Sequence, residues 1–127
     1  TFHGMHTRGF PNAFFFGPAQ SGFTATYTYS LDEQSVHLAH ILSVAGEKGA
    51  KRIEASEAAE KAWVQTIIEK ARLTADFQEK CTPGYYNNEG KGNAKPQNNM
   101  YGGGPIEFFS LMKKWRSKGG LKGLELS

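Results

Sequence analysis

The sequence predicts an α/β segment in which one central strand is followed by a mostly helical tail with a long polar loop. Three observations carry that expectation. Residues 13–16 (Ala13, Phe14, Phe15 and Phe16) are a short continuous apolar run closed on both sides by turn-forming residues. Apolar residues recur at helical spacing in three later stretches. Between the second and third of these, residues 84–104 hold almost no aliphatic side chain.

The apolar run is too short for a helix and is apolar on both faces, which suits a strand in the middle of a sheet. Gly9, Pro11 and Asn12 mark its entry. Gly17-Pro18 ends it, because proline brings no N–H to a ladder. Such a strand needs a neighbour on each side, and the chain offers few other strand candidates, so its partners are expected outside the chain. Alone, the chain is expected to be unstable, since burying each of Phe14, Phe15 and Phe16 contributes about 1.5–3 kcal/mol. Residues 1–8 place His3 and His6 in a polar lead-in that reads as a surface loop or strand end. No third ligand follows them at a spacing that suits a metal.

The first helix is expected over residues 31–48, with Ser30 as its N-cap and Glu33 completing a capping box. Leu31, Ser35, Leu38, Ala39, Leu42 and Ala45 fall on one stripe. His37 and His40 lie beside it and are expected to be partly exposed or hydrogen-bonded. Residues 51–55 read as a link. Ser56 then caps a second helix over residues 57–79, with Glu57 and Glu60 at the positive end of its dipole. Ala59, Trp63, Ile67, Ala71 and Ala75 form its buried stripe, broadened by Val64 and Ile68.

Pro83-Gly84 opens the polar loop, residues 84–104. A structureless loop of this length is functional or disordered. Tyr85 and Tyr86 beside repeated asparagines suit a flat polar ligand, or else anchor the loop onto the body. A third helix starts at Pro105. Ile106, Phe109, Leu111 and Met112 give it an apolar side, with Phe108 and Trp115 adding bulk, and Gly119-Gly120 stops it. Residues 121–126 read as a short edge strand.

The chain's 127 residues are room for one ordinary domain. A net charge of +3, from 15 basic and 12 acidic residues, is too mild to imply nucleic acid, and no basic patch is interleaved with aromatics. No apolar run reaches membrane-spanning length, so no membrane partner is expected. Cys81 is the single cysteine, which excludes an internal disulfide and points to a reducing, cytoplasmic setting. The dinucleotide fingerprint, the P-loop and the serine nucleophile elbow are all absent. No catalytic residue and no metal site are therefore expected within the chain.

The run Gly9-Phe10-Pro11-Asn12-Ala13-Phe14-Phe15-Phe16-Gly17-Pro18, followed by Ser30-Leu31-Asp32-Glu33-Gln34, resembles the last part of the FAD-binding domain of Baeyer–Villiger monooxygenases. Trp63-Val64, Thr82-Pro83-Gly84-Tyr85-Tyr86-Asn87, Tyr101-Gly102-Gly103 and Gly123-Leu124-Glu125-Leu126 resemble that family's C-terminal tail in the same order. The resemblance covers essentially the whole chain.

It implies the C-terminal part of a flavoprotein with two dinucleotide-binding domains, using FAD, NADPH and oxygen to insert an oxygen atom into a ketone and give an ester or lactone. Residues 1–48 would hold the last strand and helix of the FAD-binding domain. Residues 49–127 would form a helical C-terminal segment with a nucleotide-contacting loop. The family's glycine-rich fingerprints and its active-site arginine lie upstream, in a part of the same protein that this chain lacks. The family commonly has tryptophan where Tyr85 aligns, at a position that contacts NADP.

The turn after the strand is the expected flavin side. Ligands in open α/β folds sit beyond the carboxyl ends of strands, near helix N-termini. Gly17, Pro18, Gly22, Phe23, Thr24, Ala25 and Tyr27 are the candidate cofactor contacts there, joined by Tyr85 and Tyr86 on the nucleotide side. Backbone N–H groups, rather than charged side chains, are expected to face the flavin, because no Lys, Arg or His occurs between Arg8 and His37. Phe23, Tyr27 and Tyr29 either wall a substrate pocket or pack in the core. The alternative reading is a non-catalytic module, or the tail of another flavin oxidoreductase of reductase or N-hydroxylating type.

Overall fold

The structure, a computed structural model, describes residues 1–71, 80, 82–84, 89–90 and 95–127. In chain order these residues form helix α1 (Tyr27–Glu47), strand β1 (Ile53–Ala55), helix α2 (Glu57–Lys70), a 3-10 turn (Pro96–Asn98), helix α3 (Gly104–Ser117) and strand β2 (Leu124–Leu126).

Helix α1 starts earlier than the capping box implied. Thr26 is the N-cap, without a side-chain hydrogen bond, and Ser30 lies inside the first turns. The Ser30 hydroxyl is occupied from the loop side, accepting from the Thr24 N–H at 3.2 Å. Glu33 approaches Arg116 at 3.8 Å instead of capping. The buried face is also different. Ser30, Gln34, His37, Ile41 and Ala45 point inward, while Leu42 and Val36 are exposed. Three of these five inward residues are polar, so hydrophobic periodicity pointed at the wrong stripe. Burying them is tolerated because their polar atoms find partners in the fold.

Residues 53–55, read as part of a link, are a strand. Strand β1 pairs antiparallel with β2, matching Ile53 with Leu126, Glu54 with Glu125 and Ala55 with Leu124. Three residues are too few to show alternation in a sequence. Ser56 behaves as expected, its hydroxyl accepting from the Ala59 N–H at 3.2 Å. Ser56→Ala is expected to lower stability by about 1 kcal/mol, read as a small fall in the denaturation midpoint of the full-length protein. Trp63, Ile67 and Ala71 are buried on the expected stripe of α2. The expected extension over residues 72–79 lies outside the described residues.

Residues 2–6 are not a surface loop. All are buried, in a tight reversal closed by hydrogen bonds in both directions between Phe2 and His6. The Phe2 ring stacks on His3 at 3.7 Å and meets Trp115 edge-on. Aromatic cover on several sides lets neutral imidazoles replace aliphatic packing here. Gly123 lets the reversal seat closely, since a Cβ there would lie 2.8 Å from the Phe2 ring.

The expected central strand is an extended segment with one neighbour. Phe14 bridges His6, and the Phe15 N–H donates to the Met5 carbonyl at 2.9 Å. Among the described residues no second strand bridges Phe14, Phe15 or Phe16, and Phe15 and Phe16 remain 48% and 44% exposed.

In α3, Phe108, Phe109 and Met112 are buried, and Pro105 follows Gly104 in the first turn. Ile106, expected on the apolar side, is 87% exposed, being two positions from Phe108 and so across the helix. The larger core gathers Phe2, Ala55, Trp63, Ile67, Tyr101 and the buried α3 residues. A smaller one holds Ile41, Ala45, Ile53 and Leu121, and Trp115 and Leu124 pack against both.

Candidate functional site

The turn that ends the Phe-rich segment opens onto a cleft of about 620 Å³. Phe10, Phe15 and Phe16 give it apolar surface, Gly17, Pro18 and Gln20 its turn, and Asn98 a contribution from the long loop. Among the described residues, no side chain lining it is ionisable. Such a surface recognises a ligand by packing and hydrogen bonding and supplies no general acid or base. A larger groove of about 920 Å³ runs along α3 past Ile106, Leu111 and Trp115, and none of the expected site residues that are described lines it.

Two buried glutamines that the sequence reading did not single out hold this turn. Gln34 donates from Nε2 to the Gly17 carbonyl at 2.9 Å and to the Ser21 hydroxyl at 2.7 Å, and accepts from the Gly17 N–H at 3.2 Å. Gln20 accepts from the Thr1 hydroxyl at 2.5 Å, donates from Nε2 to the Gln97 carbonyl at 2.6 Å, and accepts on its own carbonyl from Trp63 Nε1 at 3.0 Å. An amide on the inward face of an otherwise regular helix was the available signal for Gln34. Gln20 had none, because its partners are far away in the chain.

The expected contacts separate into three groups. Gly17 and Pro18 line the cleft. Gly22 is buried beneath α3, where a Cβ would lie 2.6 Å from the Phe108 ring, so its lack of a side chain serves packing. Phe23 and Tyr27 form an exposed pair with ring centroids 5.8 Å apart, and Thr24 donates its N–H to Ser30. Tyr29 stands edge-on to Phe109. Among the described residues, the N–H groups of Gly22, Phe23 and Ala25 have no protein acceptor. Tyr85 and Tyr86 lie outside the described residues.

The far end of the long loop is pinned. Tyr101 is buried, stacks on Trp63 at 5.6 Å, and donates its hydroxyl to Glu107 at 2.5 Å. Lys70 donates to the same carboxylate at 2.8 Å. Burial, then the bond to Glu107, raises the Tyr101 pKa, so the phenol stays protonated.

Beneath the cleft lies a group of buried histidines. Arg116 reaches His37 Nδ1 at 3.4 Å, and His37 Nε2 is 3.4 Å from His3 Nδ1. Arginine only donates, so His37 accepts on Nδ1 and presents Nε2–H to His3. Burial, then the Arg116 charge, lowers the His37 pKa to about 3. Burial lowers that of His6 to about 4, and burial followed by His37 lowers that of His3. Among the described residues no group of three or more His, Cys, Asp or Glu side chains is placed to hold a metal.

No family model matches the chain. Relatives do. The chain is 47% identical over 127 residues to pentalenolactone D synthase of Streptomyces exfoliatus, across 99% of this chain and 22% of that protein. It is 40% identical over 118 residues to a Baeyer–Villiger monooxygenase of Streptomyces coelicolor, across 93% of this chain and 19% of that protein. The polycyclic ketone monooxygenase of Thermothelomyces thermophila superposes with a TM-score of 0.90 at 30% identity, over 100% of this chain and 21% of that one. The chain is homologous to the C-terminal segment of the Baeyer–Villiger monooxygenases. It spans about a fifth of the length of the curated relatives it matches. Its three described helices and two-stranded sheet fit the α/β fold expected of that C-terminal segment, and the resemblance read from its sequence landmarks holds across the whole chain. Among the described residues no helix is long and apolar enough to cross a membrane.

Proposed function

We propose that this chain is the C-terminal portion of an FAD- and NADPH-dependent monooxygenase that inserts an oxygen atom into ketones to give esters or lactones. The observation that carries the reading is the 40% identity, over 93% of this chain, with a protein named as a Baeyer–Villiger monooxygenase. The partners are a small ketone, oxygen and the upstream part of the same protein, in a cytoplasmic setting. Residues 1–48 complete the FAD-binding domain, and residues 49–127 carry the nucleotide-contacting loop.

The residues present fit a flavin ring and not its phosphates. The cleft offers aromatic surface and backbone, and among the described residues no cationic side chain lines it. When bound, FAD reduced by NADPH supplies the activation of oxygen. The chain's own part is to pack and orient. Gly17 and Pro18 set the wall of the cleft, and the unengaged N–H groups of the exposed Phe23 and Ala25, further along the same loop, suit an electron-rich ring edge. Thr24 and Tyr27 belong to the same turn, and Tyr85 and Tyr86 to the nicotinamide side.

The test is ketone-dependent NADPH oxidation by the full-length protein with an ester or lactone product. NADPH consumption indifferent to a panel of cyclic and polycyclic ketones would overturn the reading. In the same assay Tyr85→Ala is expected to raise the KM for NADPH about tenfold, the effect of losing roughly 1.4 kcal/mol of binding, while FAD content stays as in the parent. Parental NADPH kinetics would remove Tyr85 from the nucleotide site.

A further inference from the structure

We propose that Gln20 is a positioning residue that ties the nucleotide-side loop to the flavin-side turn, so that the state of one is transmitted to the other. The inference rests on the function proposed above. Gln20 is 9% exposed and adopts φ +56°, a left-handed conformation unusual for a residue with a side chain. Its N–H donates to the Asn99 carbonyl at 2.9 Å, and its Nε2 donates to the Gln97 carbonyl at 2.6 Å. The Tyr101 N–H donates to the Ser21 carbonyl at 3.0 Å. Residues 97–101 are thus laced to two consecutive residues of the turn by three hydrogen bonds.

The lacing continues towards the cleft. Ser21 accepts from Gln34, and Gln34 grips Gly17 in both directions. Gly17, Gln20 and Asn98 all line the cleft. Behind Gln20, Trp63 donates to its carbonyl and stacks on Tyr101, so the helix holds both ends of the connection. Residues 97–101 cannot shift without breaking hydrogen bonds to buried groups or carrying residues 20 and 21 with them. Breaking them is unfavourable because a buried amide left without a partner keeps its full desolvation cost. Binding on the loop is therefore felt at Gly17, a physical connection through packed, hydrogen-bonded groups.

The experiment uses Gln20→Met in the full-length protein. Methionine keeps the length and volume of the side chain and removes its donor to Gln97. The Tyr101 amide is expected to exchange with solvent about tenfold faster. The KM for NADPH is expected to rise about tenfold and the share of electrons released as hydrogen peroxide to increase, with FAD content unchanged. Gln20→Glu, which also lacks the donor, is expected to act in the same direction and serves if the methionine variant does not fold. Unchanged exchange at Tyr101 overturns the tether. Faster exchange with parental KM and coupling overturns the transmission. If the parent itself does not oxidise NADPH, the function proposed above fails instead, and the exchange rate still decides whether Gln20 holds the loop.

Discussion

Replacing Trp63 with alanine in the full-length protein is expected to remove about 3–5 kcal/mol of stability, the range for truncating a large buried aromatic residue. The side chain is 6% exposed and belongs to the larger core. It stacks almost parallel on Tyr101, meets Phe108 at 6.0 Å and His3 at 5.0 Å edge-on, and donates to the Gln20 carbonyl. Alanine leaves a cavity, separates the Tyr101 and Phe108 rings from a partner worth about 0.5–1.5 kcal/mol each, removes the indole from His3, and strands a buried carbonyl. Trp63→Phe keeps most of the packing and loses the N–H, so its cost is expected near 1–2 kcal/mol. Melting temperature measured on both variants and the parent decides the matter. A parental value for the alanine variant would mean that the contacts around Trp63 are loose and that the core lies elsewhere.

What could be read from the sequence, and what could not, follows from how local each signal was. Helix α2 was legible because Ser56, Glu57 and Glu60 mark its start and Trp63 and Ile67 repeat at helical spacing. The turn after Phe16 was legible from Gly17-Pro18, and the structure opens a cleft there. The inward face of α1 was not, because Ser30, Gln34 and His37 are buried through bonds to residues 17–24, His3 and Arg116. Those partners are remote in sequence. The burial of residues 2–6 was hidden for a similar reason. Two histidines look like surface residues until Phe2, Trp63 and Trp115 are seen around His3, and Phe2 and Phe14 around His6. Strand β1 is stabilised by pairing with the last residues of the chain, and nothing within Ile53–Ala55 announces it.

The buried histidines make acid the sharpest test of this packing. His37 has its pKa lowered to about 3 and His6 to about 4, while His3 is lowered without a partner that would favour its charged form. In the unfolded chain each titrates near 6.5. Between those values the unfolded state binds protons that the native state refuses, so stability rises with pH across that window and falls as pH drops through it. The loss begins as pH passes below about 7 and continues until it nears 4 for His6 and 3 for His37. A pH of 5 lies about 1.5 units below the unfolded pKa of each, which at 1.36 kcal/mol per unit is about 2 kcal/mol apiece. Their sum, about 4 kcal/mol, is a large part of the roughly 5–15 kcal/mol that holds a domain together. The carboxylates with lowered pKa, Glu54, Glu57, Glu60 and Glu107, lose their contribution around and below their ordinary value of 4.5, so they do not account for a change between pH 7 and 5. Arg116, braced by Glu33, adds to the effect because its charge opposes a second one on His37. Denaturation midpoints of the full-length protein at pH 7.5 and 5 are expected to fall steeply, and selectively labelled His6 and His37 signals are expected to stay unprotonated down to pH 5 while the fold persists. Histidine signals titrating near 6.5 in the folded protein would show that these rings are solvated and that the aromatic shell around them is open.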